Sequence, residues 1–211
     1  GTDQVNIRSG SNVVIGGAET DTITVNGTVA EGQATVVGDN GQMTFSNDGV
    51  LLSVESTDFD FGASDKITLS DGVNAVVGGV GADEITAGGG ANTVLGDDGE
   101  AFFFPDGKVR AIRTVNSDHG GDDLISLEDG TNTVIAGAGS DILDLGGGTN
   151  YVLADEGVLE ILTDGDGNET GTTEVKTLYG SVGGTDQVNI GSGYNVVIGG
   201  AETDTITVNG T

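Results

Sequence analysis

Apolar residues in this chain recur every nine positions, and the stretches between them are rich in glycine, aspartate and asparagine. One run divides as DFGASDKIT (60–68), LSDGVNAVV (69–77), GGVGADEIT (78–86), AGGGANTVL (87–95) and GDDGEAFFF (96–104). A second, DHGGDDLIS, LEDGTNTVI, AGAGSDILD, LGGGTNYVL and ADEGVLEIL, fills 118–162. The eighth place is held by Ile67, Val76, Ile85, Val94, Ile125, Val134, Leu143 and Val152. The Gly- and Asp-rich first half predicts a turn with positive φ angles. The last three residues predict a very short strand whose middle side chain points inward. Two such turn–strand steps close a coil of 18 residues, and stacked coils place the inward residues in two facing columns. The period therefore predicts an all-β chain, a parallel β-roll or β-solenoid of 18-residue coils. Glycine every few residues excludes a helical reading.

The pattern breaks at 42–56, 100–115 and 158–180. The first two breaks set Asn-Asp-Gly or Pro-Asp-Gly between apolar runs, which predicts β-hairpins projecting from or packed along the roll. The alternative is an enlarged coil that keeps the stack continuous. On a longer scale, residues 1–28 return as 184–211 with only Arg8/Gly191 and Ser11/Tyr194 differing, so the chain reads as a window on a tandem array with a 183-residue unit. Aligning Asp21, Asp83, Asp141 and Asp204 divides it into blocks 1–59, 60–117 and 118–183, each ending in its hairpin, with 184–211 opening the next unit. About nine coils per unit are expected, roughly 40–45 Å of rod.

Composition narrows the chemistry. Glycine supplies 40 of 211 residues, with one proline, no tryptophan and no cysteine, so any core is thin and made of Val, Ile and Leu. Thirty-four acidic against 6 basic residues give a formal charge of −28, which opposes compaction unless cations neutralise it. Nucleic acid and anionic membrane surfaces are excluded as partners, since both need basic patches, and no apolar run approaches a membrane span.

The two edges of the coil differ at the sixth place. One carries Asp3, Asp21, Asp65, Asp83, Asp123, Asp141, Asp186 and Asp204; the other carries Asn12, Asn74, Asn92, Asn132, Asn150 and Asn195. Stacked Asn amides hydrogen-bond up a ladder, whereas stacked carboxylates about 5 Å apart repel. Something positive is needed between them. Residues 78–86 fit G-G-x-G-x-D-x-U-x at every fixed place, and many in-phase approximations accompany them. Ca²⁺ takes six to eight oxygens, which glycine-turn carbonyls and Asp side chains supply together.

On these motifs the chain resembles the repeats-in-toxin (RTX) family of secreted bacterial proteins over nearly all its length except the hairpins. The resemblance implies a Ca²⁺-dependent right-handed β-roll, unfolded in the calcium-poor cytosol and exported through a type I channel. It also implies a ligand column of Asp3/Asp21, Asp65/Asp83, Asp123/Asp141 and Asp186/Asp204. Asn on the opposite edge, where the family has Asp, predicts calcium along one edge. Glu19 and Glu202 replace a turn glycine, predicting altered loops at 16–21 and 199–204. Asp39, Asp97, Asp98, Asp155 and Glu156 read either as a second site or as solvated turn acids.

Catalysis has little to work with: His119 is the single histidine and there is no cysteine. Lys108, Arg110 and Arg113 share one hairpin strand and are expected to pair with the acidic roll. The expected function is that of a calcium-dependent structural repeat in a large extracellular or cell-surface bacterial protein, an adhesin shaft or filament, contacting neighbouring repeats and capable of lateral self-association. The alternatives are a secretion and folding module of a type I secreted enzyme or toxin, and a self-assembling sheath subunit.

Overall fold

A computed structural model describes residues 1–27, 32–164 and 168–210. The first coil is β1 (Gln4–Ile7) and β2 (Ser11–Ile15), and the second is β3 (Thr22–Val25) and β4 (Gln33–Val37). The chain then leaves the stack as a hairpin, β5 (Gly41–Phe45) and β6 (Leu51–Ser56), before returning. Two coils follow, β7 (Lys66–Leu69) with β8 (Gly72–Val77), and β9 (Glu84–Ala87) with β10 (Gly90–Leu95). The next hairpin is β11 (Gly99–Phe103) and β12 (Val109–Thr114). The third pair of coils is β13 (Leu124–Leu127) with β14 (Gly130–Ile135), and β15 (Ile142–Leu145) with β16 (Gly148–Leu153). Hairpin β17 (Gly157–Thr163) and β18 (Glu169–Thr177) precedes β19 (Gln187–Ile190), β20 (Gly193–Ile198) and β21 (Thr205–Val208).

The odd coil strands form one parallel sheet in the order β1-β3-β7-β9-β13-β15-β19-β21, and their partners a second, β2-β4-β8-β10-β14-β16-β20. Register is unbroken across each hairpin: Ile23 lies opposite Ile67, Ile85 opposite Ile125 and Leu143 opposite Val188. The roll is thus continuous and the hairpins are excursions from it. Because they leave the stack, six coils precede the return of the first pattern at β19, not about nine. One unit then spans roughly 29 Å at strand spacing.

Between the two parallel sheets lies the expected core. The eighth-place residues are buried here, from Ile67 and Val76 to Leu143 and Val152. Each contributes about 1.5–3 kcal/mol by leaving water. A second core lies on the other face of the second sheet, where Val77, Leu95, Ile135 and Leu153 meet Val54, Ala101, Ile112 and Leu159 of the hairpins. The hairpins themselves join edge to edge into an antiparallel sheet, β5-β6-β11-β12-β17-β18. The molecule therefore has three layers, and its middle sheet is buried on both faces.

The loops around Glu19 and Glu202 do not depart from the pattern. Both residues take the left-handed conformation (φ 75° and 64°) that Gly81 and Gly139 adopt in the other loops (φ 102° and 128°). A residue with a Cβ is strained there by about 1–2 kcal/mol. Glu202→Gly is expected to stabilise the calcium-loaded chain by about 1 kcal/mol after the flexibility glycine adds to the unfolded chain. Denaturant midpoints at saturating calcium measure this, and an unchanged or lower midpoint counts against strain at that loop.

The acidic edge as a candidate metal centre

Turns from the second sheet back to the first place the sixth-position aspartates one above another. The ladder is continuous. Asp3 N–H donates to Asp21 Oδ1 (2.6 Å), Asp21 N–H to Asp65 (2.7 Å), Asp65 N–H to Asp83 (2.7 Å) and Asp83 N–H to Asp123 (2.8 Å). Asp123, Asp141 and Asp186 donate in the same way to Asp141, Asp186 and Asp204 at 2.8–3.1 Å. Asp21, Asp65, Asp83, Asp123, Asp141 and Asp186 are all buried. Asp3 is exposed and Asp204 half-buried.

One oxygen of each carboxylate is thereby satisfied and the other is not. The Oδ2 atoms of Asp21, Asp65, Asp83, Asp123, Asp141 and Asp186 are buried without a hydrogen-bond partner. At four of them the oxygen faces the glycine that opens its own loop, Gly16, Gly38, Gly78 or Gly96, while Ala136 and Ala154 open the loops of Asp141 and Asp186. A Cβ on Gly78 would strike both Asp83 Oδ2 and the Gly96 carbonyl oxygen. One on Gly38 would strike Asp65 Oδ2 and the Gly78 carbonyl, and one on Gly96 would strike Asp123 Oδ2 and the Ala136 carbonyl. Glycine leaves that space open at these four loops. Each of these four loops leaves a small cradle walled by a carboxylate oxygen and a backbone carbonyl of the following coil, and the hairpin-bearing loops that open at Gly38 and Gly96 keep it. Among the described residues no three acidic or imidazole side chains converge on one point. The donors are instead one carboxylate and main-chain carbonyls, a mixture that suits a hard cation such as Ca²⁺.

Without a cation the column is unfavourable. At an effective dielectric of about 20, two unit charges about 5 Å apart repel by about 3 kcal/mol. Five neighbouring pairs among six buried aspartates thus cost about 15 kcal/mol, as much as the whole net stability of an ordinary domain, about 5–15 kcal/mol. Burial accordingly pushes Asp65 and Asp186 up to about 7 and Asp141 up to about 8. Asp83 and Asp123 are raised well above the usual carboxylate range by burial and by their charged neighbours.

The opposite edge needs no ion. Asn74 Nδ2 donates to Asn92 Oδ1 (2.8 Å), and the ladder continues through Asn132 and Asn150 to Asn195 at 2.7–2.9 Å. Each of these amides also donates to the carbonyl four residues earlier, as Asn92 does to Gly88 (3.0 Å). Asn12 stands outside the ladder, because Ala34 occupies the register position between it and Asn74.

The acids at the hairpin-bearing loops are buried and not solvated. Asp39 accepts from Ala63 N–H across its own hairpin (3.2 Å) and from Val80 N–H in the next coil (2.7 Å). Asp97 does the same with Gly121 (3.0 Å) and Ala138 (2.5 Å), and Asp155 with Gly184 (3.0 Å) and Ala201. These three clasps re-close the coil around each excursion. Burial, then the nearby charges of Asp123 and Asp141, push Asp97 up to about 10. Asp98 accepts from Asn116 Nδ2 (3.3 Å), while Glu156 keeps one buried oxygen without a partner. Asp97→Ala is expected to cost about 2–3 kcal/mol by stranding two amides. It also accelerates hydrogen exchange at Gly121 and Ala138 ahead of the rest of the roll, and uniform exchange would remove the clasp assignment.

The basic cluster does not pair with the roll. Arg113 pairs with Glu100 on the neighbouring strand, Lys108 with Asp106 and Glu169 at the hairpin tips (3.0 and 3.2 Å), and both arginines lie over the Phe102 ring. His119 Nδ1 lies 2.8 Å from Asn116 Nδ2, and its Nε2 is 3.9 Å from Asp60.

Two segments, 69–101 and 119–157, match the RTX calcium-binding nonapeptide repeat, which is found in four copies. No curated protein and no solved structure matches the chain. The matched segments hold coil strands of both parallel sheets, and the coils outside them continue the same two sheets and the Asp ladder without a change of register. The chain thus carries RTX calcium-binding nonapeptide repeats over these two segments, and Ca²⁺ is the ion such repeats bind.

Proposed function

We propose that each 183-residue unit is a calcium-rigidified length of rod in a large secreted or surface-attached bacterial protein, serving as the shaft of an adhesin or an extracellular filament. The ligand column assigned to this chain is Asp3, Asp21, Asp65, Asp83, Asp123 and Asp141 in the first unit, continued by Asp186 and Asp204 at the start of the next. The observation that carries this reading is the row of buried carboxylate oxygens without hydrogen-bond partners. Bound there, Ca²⁺ supplies the positive charge that cancels repulsion along the column. The aspartates hold the ion, the loop glycines leave room for it, and their carbonyls complete the oxygen shell. Because the cradles exist only in the closed coil, binding and folding are one event. In the calcium-poor cytosol the chain stays extended and fit for export, and outside the cell it stiffens.

Near-identity of 1–28 and 184–211 supports a role in which length matters more than a single site. A rod of this kind grows by a fixed increment per unit. X-ray scattering on chains of one and two units at saturating calcium is expected to show the longest dimension rising by roughly 29 Å. Two compact bodies with variable separation would sink the shaft reading.

A further inference from the structure

The hairpin sheet contains two joints between successive blocks, and they are built alike. At β6–β11, Val54 lies opposite Ala101 and Glu55 opposite Glu100; at β12–β17, Ile112 lies opposite Leu159 and Arg113 opposite Val158. Along the face turned to the roll this makes one cross-strand row: Met43, Val54, Ala101, Ile112, Leu159 and Val175. Its inner members are buried, and its end members, Met43 and Val175, are half-buried on the two outer strands. A hydroxyl marks each joint. Ser56 Oγ accepts from Gly99 N–H (2.8 Å) and Thr114 Oγ1 accepts from Gly157 N–H (3.1 Å), each grasping the first residue of the following hairpin. Within their own hairpins Ser56, Thr114 and Thr177 occupy the same place, opposite Gly41, Gly99 and Gly157. Thr177 is therefore the third of the series, on the outer strand β18.

We infer that β18 is a third joint, and that its occupant is the first hairpin, residues 41–56, of another copy of the unit following in the same chain. This rests on the tandem-array reading above. The joint is antiparallel, with Val175 opposite Met43, Lys176 opposite Gln42 and Glu174 opposite Thr44, and Thr177 grasps the amide of Gly41. Charge favours it: no like charges face each other there, whereas Glu55 directly opposes Glu100 in a joint that already exists. The nine-residue β18 has no proline to blunt its edge, which suits a strand that is paired in the assembled array. The consequence is a second rail along the rod, an antiparallel sheet running from unit to unit beside the ion column and held without ions.

Disulfide trapping tests this in a two-unit chain, made by following residue 211 with residues 29–211, because the sequence contains no cysteine. Residues directly opposite across a strand pair lie within disulfide reach. Lys176→Cys in the first unit with Gln42→Cys in the second is compared, at saturating calcium under mild oxidant, with the benchmark pair Glu55→Cys and Glu100→Cys within one unit. Cross-linking within about twofold of the benchmark is expected. A trapped benchmark beside an inter-unit yield below a tenth of it would overturn the joint while leaving the calcium rod intact. Loss of both cross-links would overturn the rod reading and the joint with it.

Discussion

Excess chelator at pH 7.5 unfolds this chain: its far-ultraviolet β signal disappears and its radius of gyration rises from about 17 Å toward about 50 Å, the values for a compact and an unfolded chain of this length. The change reverses when calcium is restored. Its cause is the buried aspartate column, which cannot stay both ionised and unpaired. The same cause predicts an acid rescue. Burial raises Asp65 and Asp186 to about 7 and Asp141 to about 8, above the unfolded value of about 3.9. The folded chain then holds protons that the unfolded chain has released, so metal-free stability is fully present below about pH 4. It is lost as pH climbs through 7 and 8. A metal-free sample should regain β structure near pH 4.5 and lose it again on neutralisation. A chain fully ordered in chelator at pH 7.5, or one equally unfolded at both pH values, would contradict the charge account.

Substituting one rung on each edge should separate the two ladders. Asp83→Ala removes the carboxylate of one cradle and relieves repulsion with Asp65 and Asp123. Fewer ions are then bound, the calcium midpoint rises, and the metal-free chain becomes easier to fold. Asn92→Ala leaves the ion count unchanged. It strands Asn132 Oδ1, costs Asn74 a partner and empties a buried amide site, for about 3–5 kcal/mol at saturating calcium. Calcium stoichiometry by calorimetry, paired with denaturant unfolding, tells these apart. Equal stoichiometry in the two variants would return the ion sites to both edges.

The roll was legible because its period is local. Ile67, Val76, Ile85 and Val94 recur in step with strands only a few residues long, and nothing distant is needed to place them. The difference between Asp and Asn edges was legible for the same reason, one coil stacking like on like. The second core was written less plainly, in the doubled apolar pairs Val76-Val77, Val94-Leu95, Val134-Ile135 and Val152-Leu153. A strand with one solvated face alternates, and two apolar residues in succession mark burial on both faces. The pairing of β6 with β11 was not legible at all, since strands far apart in sequence carry no local sign of their partner. Counting every nonapeptide as roll then overstated the coils. Nor did Asp39, Asp97 and Asp155 announce that backbone amides would claim them. Their spacing resembles that of the ladder aspartates, and only the returning loop supplies the donors.

The stem of each excursion is one backbone hydrogen bond wide: Thr57 N–H to the Asn40 carbonyl (2.9 Å), Val115 to Asp98 (3.1 Å) and Leu178 to Glu156 (2.9 Å). The hairpin strands beyond that stem cover the middle sheet through Val54, Ala101, Ile112 and Leu159, but the turns at their far ends, 46–49 and 105–107, take no part in the register of the coils. The third excursion is already longer than the others. Evolution, or an engineer, can therefore exchange those turns for other inserts whose ends lie equally close, keep the strands that cover the middle sheet, and display the inserts at fixed intervals along the roll without disturbing its pitch.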